Sequence, residues 1–212
     1  MRFFIFLVVT AVSGYLLGGV NGAIITSKYL YRRDIRKYGS GNPGLTNFYR
    51  VFGKAGVLLV ILIDVVKTIA PVLFGGFLFG HFYEMELFGR ELAGFFVLLG
   101  HCFPVFYSFQ GGKGVMATGT IAIILDWRLA LISWGIFLII TATTRFVSLG
   151  AIIGSSAFPV ALYLLGLGGY KELIVAIMCA ALIIARHQAN IRRLVHGEES
   201  RFKFRRDKKG EE

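Results

Sequence analysis

Long apolar runs separated by short polar, glycine-rich segments set the pattern of this chain. Seven runs stand out: Phe3–Tyr29, Ala55–Gly80, Glu91–Phe109, Val115–Leu125, Trp127–Thr143, Val147–Leu167 and Leu173–Arg186. A helix needs roughly 20 apolar residues to cross a bilayer, and most of these runs approach that length. The fourth is short enough to be a half-span or part of a tilted helix. The seventh is also short and is expected to continue beyond Arg186 as an interfacial helix. Strict alternation over about 10 residues, the mark of a membrane β-strand, is absent. The pattern predicts an all-α integral membrane protein, a seven-transmembrane-helix bundle forming one domain over residues 1–212. The first run reaches Ile25, too long for the apolar region of a cleaved signal peptide, so it reads as a retained helix.

Composition agrees. The chain is 56% hydrophobic and only 17% charged, against about 45–50% and about 25% in soluble domains. The net charge of +11 invites a nucleic-acid reading, but basic cytoplasmic loops account for it more simply. The charges are bunched. Lys28, at the end of the first run, joins Arg32, Arg33, Arg36, Lys37, Arg50 and Lys54 ahead of the second, and Arg192, Arg193, Arg201, Lys203, Arg205, Arg206, Lys208 and Lys209 follow the last. Between the second and third runs only Arg90 is basic, with Glu84, Glu86 and Glu91 nearby. An odd number of spans puts both basic clusters in the cytoplasm, with the C-terminus, and the N-terminus outside. Four polar segments, residues 39–54, 110–114, 143–148 and 186–193, then share the cytoplasmic face.

Each segment carries candidate chemistry. In "GSGNPGLTNFYR", Asn42 is a good N-cap and Pro43 suits a first helical position, so a short helix is expected from Pro43 to about Phe52, closed by Gly53. Ser40, Gly41, Asn42 and Gly44 then lie at a helix N-terminus, where N–H groups and the dipole favour an anion. Asn47 and Arg50 share one face of that helix. In "FQGGKGV", Gly111, Gly112 and Gly114 allow an N–H nest for an anion, and Lys113 adds a point charge. It is not a Walker loop, since Tyr107 stands where the first glycine belongs and Gly114 follows the lysine. Arg145 and Ser148 lie in "TTRFVS", and Arg186, His187, Asn190 and Arg193 fall at helical spacing in "ARHQANIRR". Asp64 and Lys67, inside the second run, are spaced to pair with each other. Cys102 and Cys179 read as buried thiols with no disulfide or zinc pattern. No His-x4-Asp, no Gly-x-Ser-x-Gly and no metal-ligand cluster is placed to act; His81 with Glu86 has the first spacing but falls in the external loop.

Taken together and in order, "SGNPGLTNFYRVFGK", "GHCFPVFYSFQGGKGV", "TTRFVSLG" and "RHQANIRRLVHGEE" resemble the motifs of the bacterial membrane glycerol-3-phosphate acyltransferases called PlsY, which use acyl phosphate as donor. Leu45 stands where an alanine is common in that family. The resemblance implies transfer of a long-chain acyl group to the 1-hydroxyl of glycerol 3-phosphate, giving lysophosphatidate and inorganic phosphate at the start of bacterial phospholipid synthesis. It implies a multi-pass protein of the inner membrane with no metal or organic cofactor. By its motifs, Ser40, Arg50, Lys113, His187 and Asn190 would be catalytic. Gly41, Asn42, Gly44, Asn47, Gly111, Gly112, Gly114, Arg145 and Ser148 would bind substrate phosphate. The proton acceptor is either His187 or a substrate phosphate oxygen; no carboxylate in the sequence is placed to orient His187, which favours the phosphate. The rival reading is a phosphate or organophosphate transporter, which predicts broken helices near the bilayer midplane rather than polar motifs gathered at one face.

Overall fold

In a computed structural model that describes residues 1–202, the chain is all-helical among the described residues. The elements are α1 (Arg2–Gly18), α2 (Gly22–Tyr31), α3 (Leu45–Phe52), α4 (Val57–Tyr83), α5 (Glu86–Cys102), α6 (Val115–Leu125), α7 (Trp127–Thr144), α8 (Val147–Leu164), α9 (Tyr170–Arg186) and α10 (Gln188–Val195), with short 3₁₀ turns at Ile35–Lys37 and Val105–Tyr107. The basic residues Lys203, Arg205, Arg206, Lys208 and Lys209 lie outside the described residues.

Four segments are long and apolar enough to cross a membrane: Arg2–Tyr31, Val57–Tyr83, Trp127–Thr144 and Val147–Leu164. A fifth candidate joins α9 to α10 across a 59° bend. The other two expected spans correspond to α5, with 17 residues, and α6, with 11. The first expected span is not one continuous helix. It breaks at Gly19–Asn21, and the Asn21 side chain caps α2 by accepting from Ile24 N at 2.9 Å. The third expected span begins earlier and ends earlier than its apolar run. Arg90 pairs with Glu86 one turn away and donates to the Ile124 carbonyl, which lets α5 start among charges. Pro104 then forces Phe103 out of the helix. The seventh starts at Tyr170 because Glu172 reaches back to the Gly169 N–H. The short helix after the first basic cluster starts at Leu45 rather than Pro43, with Gly44 as N-cap in place of Asn42.

Small residues set the helix packing, as membrane bundles require when apolar side chains gain nothing by leaving lipid. A Cβ on Gly18 of α1 would lie 2.3 Å from the Val97 carbonyl oxygen of α5, and one on Gly89 would lie 2.3 Å from Gly75 O of α4. In α8, Gly150 and Gly154 present the same bare surface to Phe137 and Ser133 of α7. The larger core gathers Leu98, Ile121, Leu129, Phe158, Leu162 and Ile183. A second core of Ala23, Ile24, Ile35, Phe48 and Val60 lies under the first polar segment. Eight-residue α3 is too short to persist alone. Its Phe48 is fully buried in that second core, and Phe52 stacks on Tyr31 with centroids 4.3 Å apart. Leu58, Leu62, Leu138 and Ile139 remain exposed on outer faces, where a bilayer would meet them.

Candidate active site

The four polar segments converge. A cavity of about 460 Å³ is lined by Ser40, Asn42, Gly44, Asn47 and Arg50 from the first, Lys113 and Gly114 from the second, Ser148 from the third, and His187, Asn190 and Arg193 from the fourth. Of the residues expected at the site, Gly41, Gly111, Gly112 and Arg145 fall outside this lining. The lining also includes residues that sequence reasoning did not place there, among them Asp64, His101, Trp134, Phe137 and Glu199.

The first segment is shaped by Asn47, which is 2% exposed. Its Oδ1 accepts from Ser40 N at 2.9 Å, and its Nδ2 donates to Tyr38 O at 3.0 Å. Asn47 therefore folds the Gly39–Ser40 turn. Asn21, at the break between α1 and α2, donates to the Pro43 carbonyl at 3.1 Å and fixes the next stretch. Arg50 donates to Ser200 Oγ at 3.3 Å.

The glycine segment differs from an open nest. Gly112 N donates to His101 O at 3.0 Å. The carbonyls of Gly111 and Gly112 accept from Arg186, at 3.2 and 3.3 Å, and Arg186 lies 4.8 Å over the Phe103 ring. Glycine is needed here for room. A Cβ on Gly111 would sit 2.1 Å from His101 O, and one on Gly112 would sit 2.3 Å from His101 Nε2. Gly114, at φ 83°, turns the chain into α6, whose first residues Val115 and Met116 line the cavity. The opening turn of α6 thus supplies unpaired N–H groups beside Lys113.

Lys113 donates to Asn190 Oδ1. An ammonium carries three donors, so this bond leaves capacity for a ligand. Burial pushes the Lys113 ammonium down to about 8; Glu199 opposes the shift, while Arg193, Arg186 and Arg50 reinforce it.

His187 occupies the corner between α9 and α10, so the expected helical spacing of residues 186–193 is interrupted there. Its Nδ1 is 2.8 Å from Ile183 O. A carbonyl oxygen only accepts, so Nδ1 carries the proton and Nε2 keeps its lone pair. The group that orients His187 is a backbone carbonyl, which no search for carboxylates would find. Burial pushes the imidazole down to about 4, against the raising effect of that Ile183 bond, with Lys113 adding to the fall.

Glu199 ties the fourth segment to the third. Its Oε1 accepts from Ser148 Oγ and Asn190 Nδ2, each at 2.6 Å, and its Oε2 from Arg193 Nε at 2.7 Å. Burial alone would push this carboxyl up, but the bonds from Ser148, Asn190 and Arg193 hold it below the usual range. The chain after it runs along the third segment, with Phe202 N donating to Arg145 O at 2.8 Å and Arg201 over the Phe146 ring. Arg145 is thus the left-handed cap of α7, anchoring the tail through its carbonyl. Glu199→Gln places an amide N–H against donors. It is expected to cost about 2 kcal/mol, a drop of roughly 4–8 °C in melting temperature in detergent. An unchanged melting temperature would remove Glu199 as the clasp.

The lining combines the cations Arg50, Lys113 and Arg193 with the apolar side chains Leu45, Trp134, Phe137, Val147 and Ala151. Such a site suits an anionic head joined to a long apolar tail. The chain matches the family described as Glycerol-3-phosphate acyltransferase over residues 8–197. It is 38% identical to a glycerol-3-phosphate acyltransferase of Thermoanaerobacter pseudethanolicus over 195 residues, 92% of this chain and 95% of that protein. It is also 38% identical to one of Idiomarina loihiensis, with the same coverage of each. The crystal structure of PlsY, an integral membrane glycerol 3-phosphate acyltransferase, in its glycerol 3-phosphate form superposes with a TM-score of 0.82 at 34% identity, covering 93% of this chain and 96% of that one. Its lysophosphatidic acid form gives 0.81 at 32% identity. By sequence and by fold, the chain belongs to the glycerol-3-phosphate acyltransferases of the PlsY family.

Proposed function

We propose that this protein transfers an acyl group from a long-chain acyl phosphate to the 1-hydroxyl of glycerol 3-phosphate, at the cytoplasmic face of a bacterial inner membrane. The observation that carries the reading is one cavity lined from all four polar segments, with Arg50, Lys113 and Arg193 from three of them and apolar side chains such as Trp134 and Phe137 beside them. Both substrates bear phosphate, each with about −1.5 to −2 charge at neutral pH. Arg50, Lys113 and Arg193 offset that charge. Ser40, Asn42 and the second Nδ2 hydrogen of Asn190 offer directional hydrogen bonds, while Ser148 gives its hydroxyl proton to Glu199.

Acyl phosphate is a mixed anhydride whose leaving group is already a stable anion. The glycerol oxygen forms a bond to the acyl carbon, the bond from that carbon to the phosphate oxygen breaks, and phosphate departs with the electron pair. Neither a protein nucleophile nor a cofactor is required. The site contributes position and a field for the developing oxyanion, from Lys113 and the first turn of α6. His187 Nε2 accepts the glycerol hydroxyl hydrogen bond and aims the oxygen. Burial pushes its imidazole down to about 4, which makes it a poor proton acceptor beside an anionic substrate. The proton therefore ends on the phosphate.

The test is donor choice. Purified protein should acylate glycerol 3-phosphate from acyl phosphate with release of inorganic phosphate, and should do so far less well from the thioester of the same chain. Equal turnover of both donors would overturn the reading.

The Lys113 ammonium also sets a pH dependence. Charged below about 8 and neutral above it, it loses its grip on phosphate as pH rises. The KM of the substrate it holds should climb between about pH 7 and 9, and Lys113→Arg, which stays protonated, should flatten the climb. A wild-type KM that is level across this range would exclude Lys113 as the phosphate cation.

The proposed topology has seven crossings, with the N-terminus outside and both basic clusters inside. In a background lacking Cys102 and Cys179, a cysteine at Lys37 should resist an impermeant thiol reagent in intact cells, and one at Glu84 should react. Reaction at Lys37 would put the site on the wrong face.

A further inference from the structure

Beneath the glycine segment lies a buried polar cluster that the transfer mechanism does not use. Asp64 and Lys67 sit one turn apart on α4, their side chains 4% and 3% exposed, and His101, near the end of α5, is 4% exposed. Lys67 Nζ is 2.8 Å from Asp64 Oδ1 and 2.8 Å from His101 Nδ1, and it also donates to Val20 O, at the break between α1 and α2. Asp64 Oδ1 in turn accepts from Gly22 N at 3.2 Å. Three directions thus take up the three donors of one ammonium.

Arrangement dictates the state of the ring. An ammonium has no lone pair to offer, so His101 Nδ1 must be the accepting nitrogen and Nε2 must carry the hydrogen. That Nε2 faces the Gly112 Cα, so closely that a Cβ there would lie 2.3 Å away, and the His101 carbonyl holds Gly112 N at 3.0 Å. His101 and Asp64 also line the cavity floor beside Lys113. The ring is therefore clamped from behind by Lys67 and supports from below the segment that carries Lys113.

We propose that Asp64, Lys67 and His101 form a positioning unit: Lys67, held by Asp64, locks His101 as the Nε2–H tautomer, and the locked ring fixes Gly112 and so the reach of Lys113 into the cavity. Asp64 and Lys67 then have a part in turnover beyond neutralising each other. The proposal rests on the reading of Lys113 as a phosphate contact.

The experiment has two arms. Protein labelled with nitrogen-15 histidine is read by long-range proton–nitrogen NMR in detergent, with His101 assigned by its loss in His101→Gln. The wild type should show His101 as a single Nε2–H tautomer. The charge-neutral pair Asp64→Asn with Lys67→Met, which leaves no unpaired ion, should release it into a mixture. In the kinetic arm, that pair should stay folded yet lose about 10–100-fold in kcat/KM, the scale expected of a displacement near 1 Å. Asp64→Glu, which keeps a carboxylate for Lys67, should keep the single tautomer and most of the activity. A wild-type Nδ1–H tautomer overturns the proposal, as does a mixed-tautomer variant with full kcat/KM. If the paired variant does not fold, the wild-type spectrum still decides. If the wild type shows no acyl transfer at all, the functional reading fails while the tautomer result stands by itself.

Discussion

Lys113→Ala is expected to lower acyl transfer by more than about tenfold while the protein stays folded in detergent. A charge-assisted hydrogen bond to a partly buried ligand contributes about 1.5–3 kcal/mol, and about 1.4 kcal/mol is a factor of ten. Lys113 is a half-buried cation where the second and fourth segments meet. It lies after the glycine pair, bonds to Asn190 of α10, and stands at the entry to α6. Removing it takes the charge from the point where the α6 dipole, Asn190 and the cavity meet. Turnover and a melting curve on the same preparation check the prediction. More than about a tenth of wild-type turnover in a folded variant would rule out a phosphate contact.

Gly112→Ala should be as damaging, through crowding rather than charge. The added methyl would lie 2.3 Å from His101 Nε2, and a ring clamped by Lys67 cannot swing aside. Gly111→Ala meets a backbone carbonyl at 2.1 Å. In both variants the segment must move, and Lys113 moves with it, so a loss near 10²-fold is expected. The control is Gly166→Ala. Gly166 has nothing within 4 Å of the added methyl, and its φ of 65° adds only a local strain of about 1–2 kcal/mol far from the cavity. Activity assays across the three variants decide. Equal losses would mean that the glycines at 111 and 112 serve packing in general and not the placement of Lys113.

These expectations show how far the sequence carries. The gathering of four polar segments was readable from charge bias and span order, because hydrophobic runs and basic loops are local signals. Ser40, Asn42, Asn47, Arg50, Lys113, Ser148, His187 and Asn190 line one cavity, as their polar segments and the family resemblance suggested. What each does was not readable. Asn47 folds its own turn, and Ser148 and Asn190 both bond to Glu199, because hydrogen-bond partners at the site lie as far as 150 residues apart, as Arg50 and Ser200 do. Glu199 was missed as one acid in a basic tail; its signal was the pair "EE" directly after a helix that ends in "RRLVHG". His101 was hidden in an apolar run, where a lone histidine reads as packing. The nest expected at Gly111 and Gly112 gave way to close packing, since glycine signals either freedom or room and only the neighbour decides. The break in the first span had its signal in "GGVNGA", a glycine pair before an asparagine able to cap.

We propose that one composite site moves an acyl group from phosphate to glycerol by attack at the acyl carbon. The most direct test gives the purified protein acyl phosphate together with glycerol 3-phosphate carrying heavy oxygen at the 1-hydroxyl, and follows both products by phosphorus NMR and mass spectrometry. The account predicts one inorganic phosphate for each lysophosphatidate, all of the label in the ester, and no phosphate release when glycerol 3-phosphate is left out. Label in a second phosphate ester of glycerol with release of the free fatty acid, or phosphate released without the acceptor, would contradict it.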